Sequence, residues 1–113
     1  MKLYFTFLSL TLIAHQAFAQ AGSPDAAFDG DGYVVTDFHG SSDFGFAIAP
    51  HSNGDFLIGG DADSSGERSA AIARFNSNGT YDNQLATTGR RTISVAGGDV
   101  ELWSLAIQSD DRF

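Results

Sequence analysis

The sequence predicts an all-β protein made of repeated four-stranded antiparallel sheets, and three observations carry that expectation. A stretch opening at Asp25 recurs from Asp82 at a constant spacing of 57 residues. Phe28 returns as Leu85, Gly32 as Gly89, Gly40 as Gly97, Phe46 as Trp103, Ile48 as Leu105, Ala49 as Ala106, Ser52 as Ser109 and Phe56 as Phe113. A fixed period of this size marks stacked units that bury their faces against neighbours. Short runs of β-branched and aromatic residues, punctuated by Gly, Asn, Asp and Pro, replace any helical periodicity after the N-terminal stretch. Bulky and small side chains also alternate, as they do on the two faces of a strand. Phe44, Phe46 and Ile48 alternate with Gly45, Ala47 and Ala49, and Trp103, Leu105 and Ile107 with Ser104 and Ala106. A sheet with one wet face carries charge on that side. Here the second side is small and nearly uncharged, so both faces are expected to be covered, bulky residues of one sheet filling the shallow side of the next. Sheets of four short strands packed in this way are blades of a β-propeller. The chain holds one complete unit, 25–81, and part of a second, 82–113.

The first element is not part of that fold. Met1-Lys2 is a short positive start, Leu3 to Ala14 an almost unbroken apolar run, and Ala17-Phe18-Ala19 offers the small residues that a signal peptidase reads. The run is shorter than the roughly 20 residues a membrane span needs, so residues 1–19 are expected to be a cleaved signal peptide and the mature chain to be exported, periplasmic or extracellular. Residues 20–24 form a polar lead. Tyr33–Phe38, between Gly32 and Gly40, is the first strand by composition. Phe44–Ala49 is the second, and Pro50-His51-Ser52-Asn53-Gly54 turns the chain. Asp55–Gly59 is the third, followed by a polar loop from Asp61 to Ser69. Ala70–Phe75 is the fourth, closed by Asn76-Ser77-Asn78-Gly79. In the second unit, Arg91–Val95 and Glu101–Gln108 repeat the first two strands, and Ser109-Asp110-Asp111 repeats the turn.

These segments carry a family resemblance. Asp25-Ala26-Ala27-Phe28-Asp29-Gly30-Asp31-Gly32-Tyr33-Val34-Val35-Thr36-Asp37-Phe38 resembles the opening of the bacterial delta-60 repeat. Ala47-Ile48-Ala49, then Ser52-Asn53-Gly54-Asp55-Phe56-Leu57-Ile58-Gly59-Gly60, is similar to the middle of that unit. Ala73-Arg74-Phe75-Asn76-Ser77-Asn78-Gly79-Thr80-Tyr81-Asp82 is similar to its end. The three motifs stand in the family's order and span nearly all of the mature chain. Asp29 stands where the family has Gly, and Leu85–Thr88 lacks the Phe-Gly pair, which marks the second unit as degenerate. The resemblance implies a propeller-like, secreted bacterial repeat protein, and a scaffold rather than a reaction.

Charge limits the partners. The chain has net charge −8, and without Lys2 it has five arginines against fourteen acidic residues. Such a surface repels phosphate backbones and anionic lipid heads, so neither nucleic acid nor the membrane is an expected partner. With no cysteine, disulfides and thiolate metal sites are excluded, and stability rests on packing or on packing with calcium.

The candidate chemistry is sparse. Asp61-Ala62-Asp63-Ser64-Ser65-Gly66 places oxygen side chains at alternate positions before a Gly, like the start of a calcium loop, with Asp61 and Asp63 as the candidate metal ligands. Ile72 stands at the twelfth position, where a helical calcium loop closes with a carboxylate, so the ordinary reading is a polar hairpin loop. Asp29-Gly30-Asp31-Gly32 offers two further carboxylates, but only its Gly is shared with Ala86-Thr87-Thr88-Gly89, and the shared residue serves a turn. His39 and His51 are replaced by Ala96 and Gln108 one unit later and read as loop residues. No nucleophile elbow marks any serine. Asn78-Gly79-Thr80 fits a glycosylation acceptor and equally an Asn-Gly turn. Arg74, among small apolar residues, is expected to pair with Asp37 or Asp82, because charged side chains are buried only when paired. Trp103 and Phe46 are assigned to packing between sheets.

The expected function is therefore a non-catalytic exported repeat scaffold with no cofactor and with a protein or glycan as ligand. The alternatives are a calcium-dependent structural module and part of a secreted propeller enzyme such as a glycoside hydrolase. A closed propeller needs about four blades, so the interrupted second unit predicts a truncated fragment of a longer protein, or self-association through exposed blade faces.

Overall fold

The computed structural model describes residues 22–110 and 112–113. The expected signal peptide lies outside the described residues, as does Asp111 of the second turn. Four strands, β1 (Asp43–Pro50), β2 (Phe56–Ser64), β3 (Glu67–Phe75) and β4 (Arg90–Ile93), form one antiparallel sheet in the order β1-β2-β3-β4. The sheet is open, with β1 and β4 at its edges. No helix occurs among the described residues.

Local chemistry sets the turns. Between β1 and β2, the His51 amide donates to Asp55 O at 2.7 Å and Asn53 Oδ1 accepts the Asp55 amide at 3.1 Å. Between β2 and β3 only Ser65 and Gly66 turn, with φ of 54° and 88°. Two consecutive left-handed residues make the primed turn whose twist matches paired strands. The expected polar loop from Asp61 to Ser69 is thus two strand ends around a two-residue turn. Ladder pairs Asp61↔Ala70 and Asp63↔Arg68 continue the sheet through it.

The membership of the sheet also differs from expectation. Tyr33–Phe38 and Glu101–Gln108 form no strands, and the fourth strand comes from the second unit. β4 begins 57 residues after Tyr33, so Tyr33–Thr36 is the first-unit counterpart of β4. Its side chains still alternate between exposed and half-buried, yet it has no ladder partner, because β3 is taken by β4.

Residues opposite one another on paired strands share a face. Register places Leu57, Gly59 and Asp61 with Arg74, Ile72 and Ala70 on one face, and Ile58, Gly60 and Ala62 with Ala73, Ala71 and Ser69 on the other. The first face is covered by the second unit: Leu102, Leu105 and Ile107 pack on Leu57, Ile72 and Leu85. Gly59 makes room for this layer, since a Cβ there would stand 2.5 Å from Leu105 Cδ1. Across the second face lie Val34, Thr36 and Phe38. Both faces are therefore covered over β2 and β3, as the small residues imply. β1 differs. Phe44, Phe46 and Ile48 are 50%, 45% and 67% exposed, because the covering segments reach them only in part, whereas Ala49 beside them is buried. A bulge between Gly45 and Ala47 leaves Phe46 without an opposite residue, and bulges bend and twist an edge strand.

The sequence repeat has a backbone counterpart. Asp25 Oδ1 accepts the Ala27 amide at 2.9 Å, and Asp82 Oδ1 accepts the Gln84 amide at 2.9 Å. Asp25 O accepts from Phe28 N, and Asp82 O from Leu85 N. Asp29, Gly32 and Gly40 have positive φ, as do Ala86, Gly89 and Gly97 one period later. The same side-chain turn and the same left-handed positions open both units.

Candidate functional site

The best-defined recess lies between the Val34–Phe38 segment and the second sheet face, a cleft of about 210 Å³. Its walls are mostly hydrocarbon, from Val34, Phe38, Ile58, Ala71, Ala73 and Phe75. Thr36 in its wall accepts the Tyr81 hydroxyl at 3.2 Å. Phe28, Phe56, Phe75 and Tyr81 form a continuous run of stacked rings with centroids 5.9, 5.2 and 5.0 Å apart.

Asp43 and Asp61 both line the cleft, but register turns the Asp61 carboxylate to the opposite face, and both carboxylates are committed to backbone amides. Asp43 Oδ2 accepts the Phe38 N–H at 3.0 Å. Asp61 Oδ1 accepts the Leu102 N–H at 2.9 Å. One aspartate thus ties the Val34–Phe38 segment to the sheet, and the other ties the Leu102–Ile107 segment to the opposite face. A carboxylate accepting an amide makes a charge-assisted bond, stronger than a neutral one. Asp61 is 2% exposed, so little water is at hand to replace that partner.

The candidate metal ligands each have a protein partner. Asp61 and Asp63 lie on β2, and while Asp61 holds Leu102, Asp63 Oδ1 lies 3.5 Å from Arg68 Nε. Arg68 also donates from Nη1 to Glu101 Oε1 at 2.7 Å, while its own amide donates to Asp99 Oδ1. The bond to Glu101 raises the Arg68 pKa. Among the described residues, no three His, Asp or Glu side chains converge as a metal-binding group. Asp31 instead caps its own turn, accepting from Tyr33 N. Asn78 closes the turn after β3, its Oδ1 accepting from Thr80 N and Oγ1. His39 is exposed, and His51 lies buried at the β1–β2 turn.

Arg74 is paired as its surroundings imply. Its Nε lies 2.7 Å from Asp82 Oδ2 and its Nη2 lies 3.9 Å from Asp55 Oδ2, with the side chains of Arg74 and Asp82 only 11% and 7% exposed. This pair joins the end of β3 to the opening of the second unit, where Arg74 O also accepts the Asp82 N–H.

Two rings assigned to packing between units do meet. Phe46 and Trp103 stack with centroids 5.1 Å apart, and Phe44 extends the stack at 6.4 Å. They are not buried as expected: Trp103 is 68% exposed. Their exposure departs from expectation because a ladder pattern shows which residues are bulky, not how far the next layer extends over them. The chain matches no family model, no curated protein and no solved structure.

Proposed function

We propose that the chain is an exported, non-catalytic repeat scaffold of the delta-60 kind, in which each four-stranded sheet is one propeller-type blade. The Phe46–Trp103 stack carries this reading: residues one period apart sit ring on ring, and the second unit lays its Leu102–Ile107 segment on the first sheet. A blade then takes β1, β2 and β3 from one unit and its last strand from the next. Tyr33–Thr36 is the strand that a preceding blade would take. The scaffold role is supported by the use of the Asp43 and Asp61 carboxylates, each of which holds a chain segment through an amide.

Near-UV circular dichroism of Trp103, the only tryptophan, tests the packing. The aromatic signal is expected to melt together with the far-UV sheet signal and to weaken in Phe46→Ala. A Trp103 signal that melts well before the sheet would sink the blade-on-blade reading. Mass spectrometry of the protein recovered from an exporting host tests export, with an N-terminus at Gln20 expected.

A further inference from the structure

Asp43 carries a charge that its bond to the backbone does not use up. Its Oδ2 accepts the Phe38 N–H at 3.0 Å, whereas its Oδ1 is buried and no protein group donates to it. Asp43 stands opposite Ala62, so register sets it on the same sheet face as Gly60 and Ile58. That is the face which the Val34–Phe38 segment covers. The unpartnered oxygen therefore belongs to the apolar cleft of about 210 Å³ between that segment and the sheet, which Asp43 lines. No Lys, Arg or His lines this cleft, and Arg68, Arg74 and Arg112 are paired with other carboxylates.

A carboxylate oxygen shut away without a donor destabilises the chain that holds it. The fold does not demand this one. An asparagine would accept the Phe38 amide without a charge, and one period later the equivalent position is Val100. A carboxylate with one oxygen turned to hydrocarbon, and no cation of the chain beside it, suits a cationic donor supplied from outside. A chain of net charge −8 also draws cations toward its surface.

We propose that the cleft binds a small arylalkyl ammonium, a single aromatic ring joined to a primary amine by a short link. The ammonium donates to Asp43 Oδ1, and the ring lies among Val34, Phe38, Ile58 and Phe75. Two of these walls are themselves aromatic, which favours a ring over an aliphatic chain. An apolar cavity of about 150 Å³ holds benzene, so the volume here leaves room for the link and the amine but not for a second ring. The bond to Asp43 is charge-assisted and therefore stronger than one from a neutral hydroxyl, which sets the preference for an amine over an alcohol.

Amide NMR of the isotope-labelled full chain at neutral pH, titrated with benzylamine, benzyl alcohol, benzoate and methylammonium, tests the site. Benzylamine is expected to saturate, with the Phe38 amide, which shares the Asp43 carboxylate, among the signals that move most. Benzyl alcohol lacks the charge and methylammonium lacks the ring. Each is expected to bind at least about tenfold more weakly, in keeping with a hydrogen bond to a charged group, and benzoate not to bind. Asp43→Asn keeps an acceptor for the Phe38 amide, so it is expected to weaken benzylamine by at least about tenfold while benzyl alcohol binds as before, which shows the cleft intact. Should that variant fail to fold, the four ligands compared on the parent chain decide alone. Methylammonium binding as tightly as benzylamine would reveal only a general attraction to an acidic surface and would overturn the assignment. So would equal binding of benzyl alcohol, no saturation by benzylamine, a response confined to signals away from the cleft, or undiminished binding by a folded Asp43→Asn chain.

Discussion

Three aspartates show how this chain uses charge at the scale of single residues. Asp61 is nearly inaccessible and holds the Leu102 amide. Asp61→Ala is expected to cost about 1.5–3 kcal/mol, the range for a hydrogen bond to a charged group, as read from urea denaturation. Asp61→Asn, which can still accept, should cost less. Asp82 is held by Arg74, and removing one partner of a buried pair strands the other charge, typically at about 3–5 kcal/mol. Arg74→Met is expected to approach that loss, and Arg74→Met with Asp82→Leu to recover much of it. An Arg74→Met chain as stable as the parent would rule out a structural role for the pair. Asp110 is different, because it is exposed. Its hydrogen bond from Arg112 lowers its pKa, so the contact favours the folded chain above the ordinary aspartate pKa. That benefit is lost as pH falls through the lowered value. An NMR titration should show the Asp110 midpoint move upward in Arg112→Gln. The Arg74 pairing was legible in the sequence, because a lone arginine among alanines needs a carboxylate. The Asp61 role was not: its amide partner lies 41 residues away, and only the fold brings the two together.

At the scale of elements, β1, β2 and β3 were legible in their apolar centres but not in their ends. Composition stopped β2 at Gly59 because Asp61 and Asp63 look like loop residues, whereas hydrogen bonds from the next layer and from Arg68 allow the strand to run to Ser64. The primed turn at Ser65-Gly66 then replaces the long loop. Tyr33–Phe38 has a strand's composition but not its pairing, since propensity says nothing about which partner is available. Gly60 is the tightest point of the sheet: an added Cβ would run into the Phe44 carbonyl, which is backbone and cannot swing aside. Gly60→Ala is expected to cost at least about 1–3 kcal/mol, the usual range for overpacking. Hydrogen exchange should localise the damage to the β1–β2 ladder and spare β2–β3.

For the whole molecule, the sheet is one layer of three, and the outer two are single segments. Leu57, Ile72 and Leu85 stay dry only because residues 102–107 lie over them. A chain ending at Gly98 is expected to expose that cluster and to associate at micromolar concentration in sedimentation, as large uncovered apolar patches do. A monomeric, equally stable shortened chain would show that the layer is dispensable. The all-β class and the coverage of both faces were legible from small residues alternating with large ones. The exposed β1 edge was not, because alternation records a face without recording how wide its cover is.

The joint between units does not coincide with the joint between sheets. Cutting after Tyr81, where the written period ends, would strip β3 of its outer neighbour and leave Arg74 without Asp82. The stretch that keeps the sheet whole is instead Asp43 to Ile93, bounded by its first and last strands. Anyone wishing to shorten or recombine this chain keeps the sheet whole by cutting outside those bounds, for instance after Ile93.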